Sequence, residues 1–384
     1  MNIEISKLQT TIKNLNVEIE KIKNSQKKVI NFSNSENNLL KKFNSITVNK
    51  YLDQKLIKKS LKRDIIDYHT YMKNRTNEFD EINKKIIYEL QTYINQIDSN
   101  YKVVLYGSRA TNLCLLWSDM DVVICNNSNS ENKNYDFLQK LTDNLNDKIS
   151  FIESIKYLNR AKVPIIKITT TKKYNNTMID ITMQSEQHFG IKCVNLVKEY
   201  LNKYEALEYL IFPLKTMLKM AELNDPYNGG LSSYALILMI VYFLEFEKNN
   251  GKNITIDDLG NLFYDFLFFY GGRKNTNYLD INQEVNEKQK ITNYNSELFF
   301  IIDPLNNENN VAKTSYKYVE VKLVFLIALH ILNEPCFCQC HYIKNTEEEN
   351  IDVNIQHNYL SKIFFGLKRG KIYSYIPNDE DDIN

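Results

Sequence analysis

The chain has 384 residues, 43% hydrophobic and 25% charged, with ten glycines, six prolines and a net charge of +1. That composition excludes a low-complexity or collagen-like polymer, and the balanced charge excludes a molecule that grips nucleic acid through its overall field. The length allows two lobes with ample core, and six cysteines without a framework spacing point to reduced thiols.

The opening residues, 1–20, mix charges with isolated apolar residues and do not read as a secretory signal. The longest apolar run, 234–246, is too short to span a bilayer and reads as a buried helix. A soluble protein of the nucleus or cytoplasm is expected, neither secreted nor membrane-bound. Leu8, Ile12, Leu15, Ile19 and Ile22 form a heptad-like seam of barely two heptads. A docking helix and a helix packed on its own chain fit it equally well, so the oligomeric state stays open. Residues 31–38, rich in Asn and Ser, read as a linker.

Residues 64–97 are helical, with Phe79, Ile82, Ile86, Ile87 and Leu90 on one stripe. The period then shortens: 103–106, 120–124, 163–168 and 178–183 are β-branched runs bounded by polar turns. From 194 to 332 the chain reads as helical again, with stripes at Leu207–Ala221, Leu259–Tyr270 and Val321–Leu332. The fold class is therefore α+β: a small mixed-sheet lobe inserted between helical segments of a mainly α domain. The boundaries expected are 1–63 for the N-terminal helix and linker, 64–98 for helices packing on the central domain, and 99–190 for the mixed-sheet lobe. Residues 191–334 would form the helical central domain and 335–384 a partly disordered tail.

One stretch carries chemistry. A strand ends at Gly107-Ser108, where a missing side chain lets backbone approach phosphate oxygens and a hydroxyl can join the cradle. Asp119 and Asp121 follow; residues i and i+2 of a strand share a face, so both carboxylates point the same way. Asp180 lies on what reads as a neighbouring strand. Alone, such a pair can merely end a strand, and a strand Asp can be a turn former. Together, three hard carboxylates suit Mg²⁺, with Mn²⁺ as a substitute, and can hold two ions about 3.5–4 Å apart.

Gly107-Ser108, Asp119-x-Asp121 and Asp180 resemble the catalytic core of the DNA polymerase β nucleotidyltransferase superfamily. Lys215, Lys219 and the run from Leu223 to Leu236, which contains Gly229, Gly230, Ser233 and Tyr234, resemble the central domain of non-canonical poly(A) polymerases and terminal uridylyltransferases. The segment from Ile302 to Tyr316 resembles their nucleotide-recognition motif, and Asp64–Tyr68 their opening helix. The likeness spans about 64–332 and is nearest in flavour to the polymerase of the TRAMP exosome-cofactor complex.

The resemblance implies a two-lobed nucleotidyltransferase and a division of labour. Asp119, Asp121 and Asp180 would hold metal, and Gly107 and Ser108 would cradle the triphosphate. Lys215 and Lys219, at i and i+4, would neutralise its outer phosphates, though a solvated lysine pair reads as well from spacing alone. Ser233 would add a hydroxyl, Tyr234 would stack on the base, and Gly229-Gly230 would let the helix start lie close to the phosphates. Asp303, Asn306 and Asn309 would contact the base. Uridylyl-specific members carry His six residues after the Asp of this motif; here that position is Asn309, which leaves room for a purine and favours ATP. The implied partners are an RNA 3′ end and a separate RNA-binding protein. A uridylyltransferase and a catalytically silent RNA-processing scaffold are the competing readings.

Two residues depart from the family pattern. Asn112 stands where Gly is usual, and Asn tolerates left-handed backbone. Lys313 stands where Arg is usual, keeping charge but losing the bidentate fork. Cys336, Cys338, Cys340 and His341 alternate too tightly for one tetrahedral zinc and have no second pair, so reduced thiols are expected there. The acidic stretch 378–382 reads as disordered.

Overall fold

The computed structural model describes residues 54–126, 134–161, 163–185, 189–272, 278–281, 299–333 and 359–368. The heptad-like seam, the 31–38 linker, the Cys336–His341 cluster and the acidic C-terminal stretch lie outside the described residues. From Lys55 onward the described residues fall within a single compact unit. It is α+β, as the pattern of periods predicts.

Two helices open it, α1 (Gln54–Asn77) and α2 (Asp80–Ile97). Asp80 and Glu81 place negative charge at the positive end of α2, and Ile86, Leu90, Tyr93 and Ile94 line its buried stripe. Helix α1 begins ten residues before the expected boundary at Asp64, and its Ile57, Leu61, Ile65 and Met72 are buried.

A five-stranded mixed sheet follows, in spatial order β1-β2-β5-β4-β3: β1 (Tyr101–Tyr106), β2 (Met120–Asn126), β3 (Ile152–Leu158), β4 (Ile165–Thr170) and β5 (Met178–Met183). Between β1 and β2 stands a one-turn helix α3 (Gly107–Ala110), and α4 (Asn134–Lys148) precedes β3. Met120, Val122, Ile124, Ile166, Ile168, Ile179 and Ile181 pack one face of the sheet against α2 and α4. The alternation that buries these residues turns Asp121, Lys167 and Asp180 to the opposite face. Edge strand β3 is not among the expected strands, because Glu153, Ser154 and Lys156 break its apolar run.

The helical part contains α5 (Gly190–Lys203), α6 (Glu205–Met220), α7 (Ser233–Asn249), α8 (Leu259–Leu267) and α9 (Tyr318–Asn333). Helix α7 is capped by Ser232, whose hydroxyl accepts from the Ala235 N–H at 3.0 Å, and is buried nearly all round. The span read as wholly helical is interrupted by a small sheet, β6 (Tyr278–Leu279), β7 (Phe300–Asp303) and β8 (Asn306–Asn310). The polar run Asn306–Asn310 lacks the β-branched residues that announce a strand, which hides it from the sequence.

Within the segment expected as a tail, α10 (Tyr359–Leu367) packs Leu360, Ile363 and Leu367 against α6 and α9. The Asp64 carboxylate accepts the Tyr359 N–H at 2.6 Å, tying this helix start to α1. No helix among the described residues is long and apolar enough to cross a membrane.

Candidate active site

The sheet register assembles the carboxylates. Asp121 on β2 stands opposite Asp180 on parallel β5 and opposite Tyr106 on β1, while Lys167 on β4 stands opposite Asp180. One row across the sheet thus reads Tyr106, Asp121, Asp180, Lys167, with Asp119 one residue before β2. Burial raises the Asp121 pKa to about 7, helped by the neighbouring charges of Asp180 and then Asp119. Burial and Asp180 also raise Asp119. The Tyr106 phenol is pushed up to about 12 by burial and by Asp121.

Such a cluster is short of positive charge, which fits a divalent cation. It is not drawn into a ready cage: among the described residues no three His, Cys, Asp or Glu side chains are gathered closely enough to hold an ion by themselves. Three like charges repel, and Asp180 instead takes the Lys167 ammonium on both carboxylate oxygens, at 2.9 and 2.7 Å. An ion here would rely on substrate phosphates and water for the rest of its shell, as Mg²⁺ commonly does.

Gly107 has a different task from the one its sequence suggests. It has φ +68°, and a Cβ there would lie 2.1 Å from Asp121 Oδ2. The missing side chain makes room for the carboxylate rather than only for a phosphate. Ser108 lies on α3 with its side chain making no hydrogen bond among the described residues, so the hydroxyl is free to meet a ligand. Asn112 has φ +57°, the left-handed geometry its residue type tolerates.

Arg109, which sequence reasoning passed over, holds this corner together. Its buried guanidinium donates to the carbonyls of Ser118 at 2.6 Å and Asp119 at 3.2 Å, and to Asn83 Oδ1 at 2.8 Å on α2. A buried Arg immediately after Gly-Ser was the signal available.

The two lysines of α6 part company. Lys219 is exposed, and its charge, after that of Lys167, offsets part of the rise at Asp119. Lys215 is buried and donates to the Leu113 carbonyl at 2.7 Å; burial depresses its pKa to about 8. The pairing of both on the outer phosphates is therefore not the arrangement seen here. A lone ammonium inside a packed interface takes the nearest carbonyl.

The segment expected to recognise the nucleotide begins with a β7–β8 hairpin organised by Asp303. This buried carboxylate accepts from the Tyr234 hydroxyl at 3.0 Å, the Asn309 amide at 3.0 Å and the Leu305 N–H at 3.0 Å. Asp303 thus holds Tyr234 and Asn309, the residues expected to stack on the base and to read it. Burial, then Cys193 and Asp303, drive the Tyr234 phenol far above its ordinary range. Asn309 is otherwise exposed. Asn306 is used locally, accepting the Glu308 N–H at 3.2 Å.

Ser233 makes no side-chain hydrogen bond among the described residues, since Ser232 does the capping. Gly229 and Gly230 serve backbone packing: a Cβ would strike the Tyr316 ring at one and the Leu223 carbonyl at the other.

Residues 61–202 match the family model described as the central palm domain of mitochondrial-like poly(A) RNA polymerase. Poly(A) RNA polymerase protein 1 of Saccharomyces cerevisiae is 26% identical over 298 residues, covering 74% of this chain and 45% of the relative. The chain spans about half the length of the curated relatives it matches. Among solved structures, the polymerase core of TRAMP, an RNA surveillance complex, superposes with TM-score 0.61 at 23% identity, over 76% of this chain and 93% of that one. A mutant of the Cid1 poly(U) polymerase in which Asn replaces a His, bound to MgATP, gives TM-score 0.58 at 22% identity over 72% and 95%. These likenesses show the fold, which this chain shares with the TRAMP polymerase core and with Cid1.

Proposed function

We propose that this chain is a template-independent RNA 3′-adenylyltransferase that transfers AMP from ATP, with Mg²⁺ or Mn²⁺, in RNA quality control or decay. The observation that carries the reading is the row of Asp121 and Asp180 in strand register beside Asp119, under a glycine that leaves space for the carboxylate. Asp119, Asp121 and Asp180 would hold the metal. Asp180 would also orient the 3′-hydroxyl and accept its proton as the oxygen attacks the α-phosphate and pyrophosphate leaves. Bound metal would supply charge neutralisation of the phosphates and a more acidic hydroxyl. Ser108, Lys219 and Ser233 would meet the phosphates, Tyr234 would stack on the base, and Asn309 would read it.

Asn309 is what favours ATP over UTP. The Cid1 mutant with Asn in place of a His was crystallised with MgATP, and the same residue type stands in this hairpin. Retention of all three acids speaks against a silent scaffold. Weak intrinsic RNA affinity would make a separate RNA-binding protein the natural partner. The test is extension of an oligoribonucleotide by the purified chain with Mg²⁺ and each nucleoside triphosphate singly. ATP should be consumed in preference to UTP, and chelation should stop it; preference for UTP would overturn the base assignment.

A further inference from the structure

Trp117 is the chain's one tryptophan, and it is 41% exposed two residues before Asp119. Its neighbours Leu113, Cys114 and Leu115 are buried, so it alone in that run turns outward. The ring makes no aromatic or cation contact with any described residue. The backbone turn that carries it is nonetheless held. The Leu115–Ser118 turn is closed by Ser118 N–H donating to the Leu115 carbonyl at 3.0 Å and by Leu115 N–H donating to the Ser118 hydroxyl at 2.9 Å. Arg109 then grips the Ser118 and Asp119 carbonyls from a buried anchor on α2.

An exposed indole on a hydrogen-bonded turn, two residues from a candidate metal ligand, can serve as a platform for a flat ligand, because one large aromatic face gives contact area at little entropic cost. We propose that Trp117 stacks on a base at the 3′ end of the acceptor RNA. This inference rests on the adenylyl-transfer reading above. The incoming nucleotide already has its own aromatic, Tyr234, locked by Asp303 on the helical side. Trp117, two residues before Asp119 and outside the Tyr234–Asp303 pair, is assigned to the strand being extended. Stacking tolerates every base, which suits an acceptor of arbitrary sequence, and it needs no cation in a chain of net charge +1.

The single tryptophan is its own reporter. Tryptophan emission of the full chain is followed while an oligoribonucleotide is added without triphosphate, and separately while MgATP is added alone. Saturable quenching by RNA and none by MgATP is expected. In extension assays Trp117→Ala should raise the primer KM roughly tenfold more than the KM for ATP, with Trp117→Phe recovering most of the loss. Thermal midpoints should stay close to wild type, because the ring is exposed. Absent quenching, or quenching by MgATP rather than RNA, overturns the inference. An equal rise in both KM values does the same. If the wild type extends RNA while quenching is absent, only this inference falls. If no triphosphate is incorporated, the functional reading falls while quenching still decides whether Trp117 meets RNA.

Discussion

Asp121 ionises against burial and against two neighbouring carboxylates, and the consequence is a pH dependence of known sign. Its pKa in the fold, about 7, lies above the ordinary 3.8, so the folded state holds the proton more tightly than the unfolded chain. Without metal, stability contributed by this group is present below pH 3.8 and is lost as pH rises through 7. Asp121→Asn should therefore raise the metal-free thermal midpoint at pH 8 and change it little near pH 4, read by calorimetry in chelator. Protons should also compete with Mg²⁺, so the half-saturating concentration should climb as pH falls below about 7. At Asp303 the argument is geometric: one buried carboxylate orders both Tyr234 and Asn309. Losing a charge-assisted hydrogen bond costs about 1.5–3 kcal/mol, so Asp303→Asn should raise the ATP KM about tenfold or more, with ATP-versus-UTP preference weakened. Steady-state kinetics with both nucleotides would check this. The alignment of Asp121 with Asp180 was legible because strand period fixes which residues share a face. The inward turn of Lys215 was not, since i and i+4 spacing says that two lysines share a helix face and not what that face packs against.

At the level of elements, the one-turn helix α3 and its following turn couple the carboxylates to the helices around them. Gly107 lets Asp121 fit, Arg109 fastens the turn to α2, and Lys215 of α6 holds the Leu113 carbonyl. Gly107→Ala should add a Cβ into the Asp121 carboxylate and strain a left-handed residue, lowering kcat by two orders of magnitude or so while the fold survives. Unchanged kcat in single-turnover measurements would remove Gly107 from the site. The helices α2, α7, α8 and α9 announce themselves through apolar stripes or continuous apolar runs. The β7–β8 hairpin and strand β3 do not, because their side chains are polar and their pairing depends on partners distant in sequence. Helix α10 was hidden for another reason: its start is completed by Asp64 from α1, a contact between residues nearly three hundred positions apart.

Across the whole molecule, charge is balanced, and the clearest cations near the acids are paired or, as Lys219, proposed to meet the triphosphate. Lys167 is paired with Asp180, and Lys215 is paired with a carbonyl. Counterion release makes affinity track the number of free cations on the phosphate path, so the isolated chain should bind single-stranded RNA weakly and extend it distributively. A salt-controlled titration and extension under primer excess check this: many primers should gain short tails, and a shallow salt slope should accompany the weak binding. Tight binding at physiological salt, or long tails on a few primers, would contradict it.

The central claim is that the Asp119, Asp121 and Asp180 carboxylates carry metal-dependent adenylyl transfer. Labelled AMP incorporation into an oligoribonucleotide, measured for the wild type and for Asp119→Ala, Asp121→Ala and Asp180→Ala with Mg²⁺ at saturation, tests it most directly. Each substitution should abolish incorporation while circular dichroism and thermal midpoint show an intact fold. Incorporation near the wild-type rate by any of the three would contradict the account.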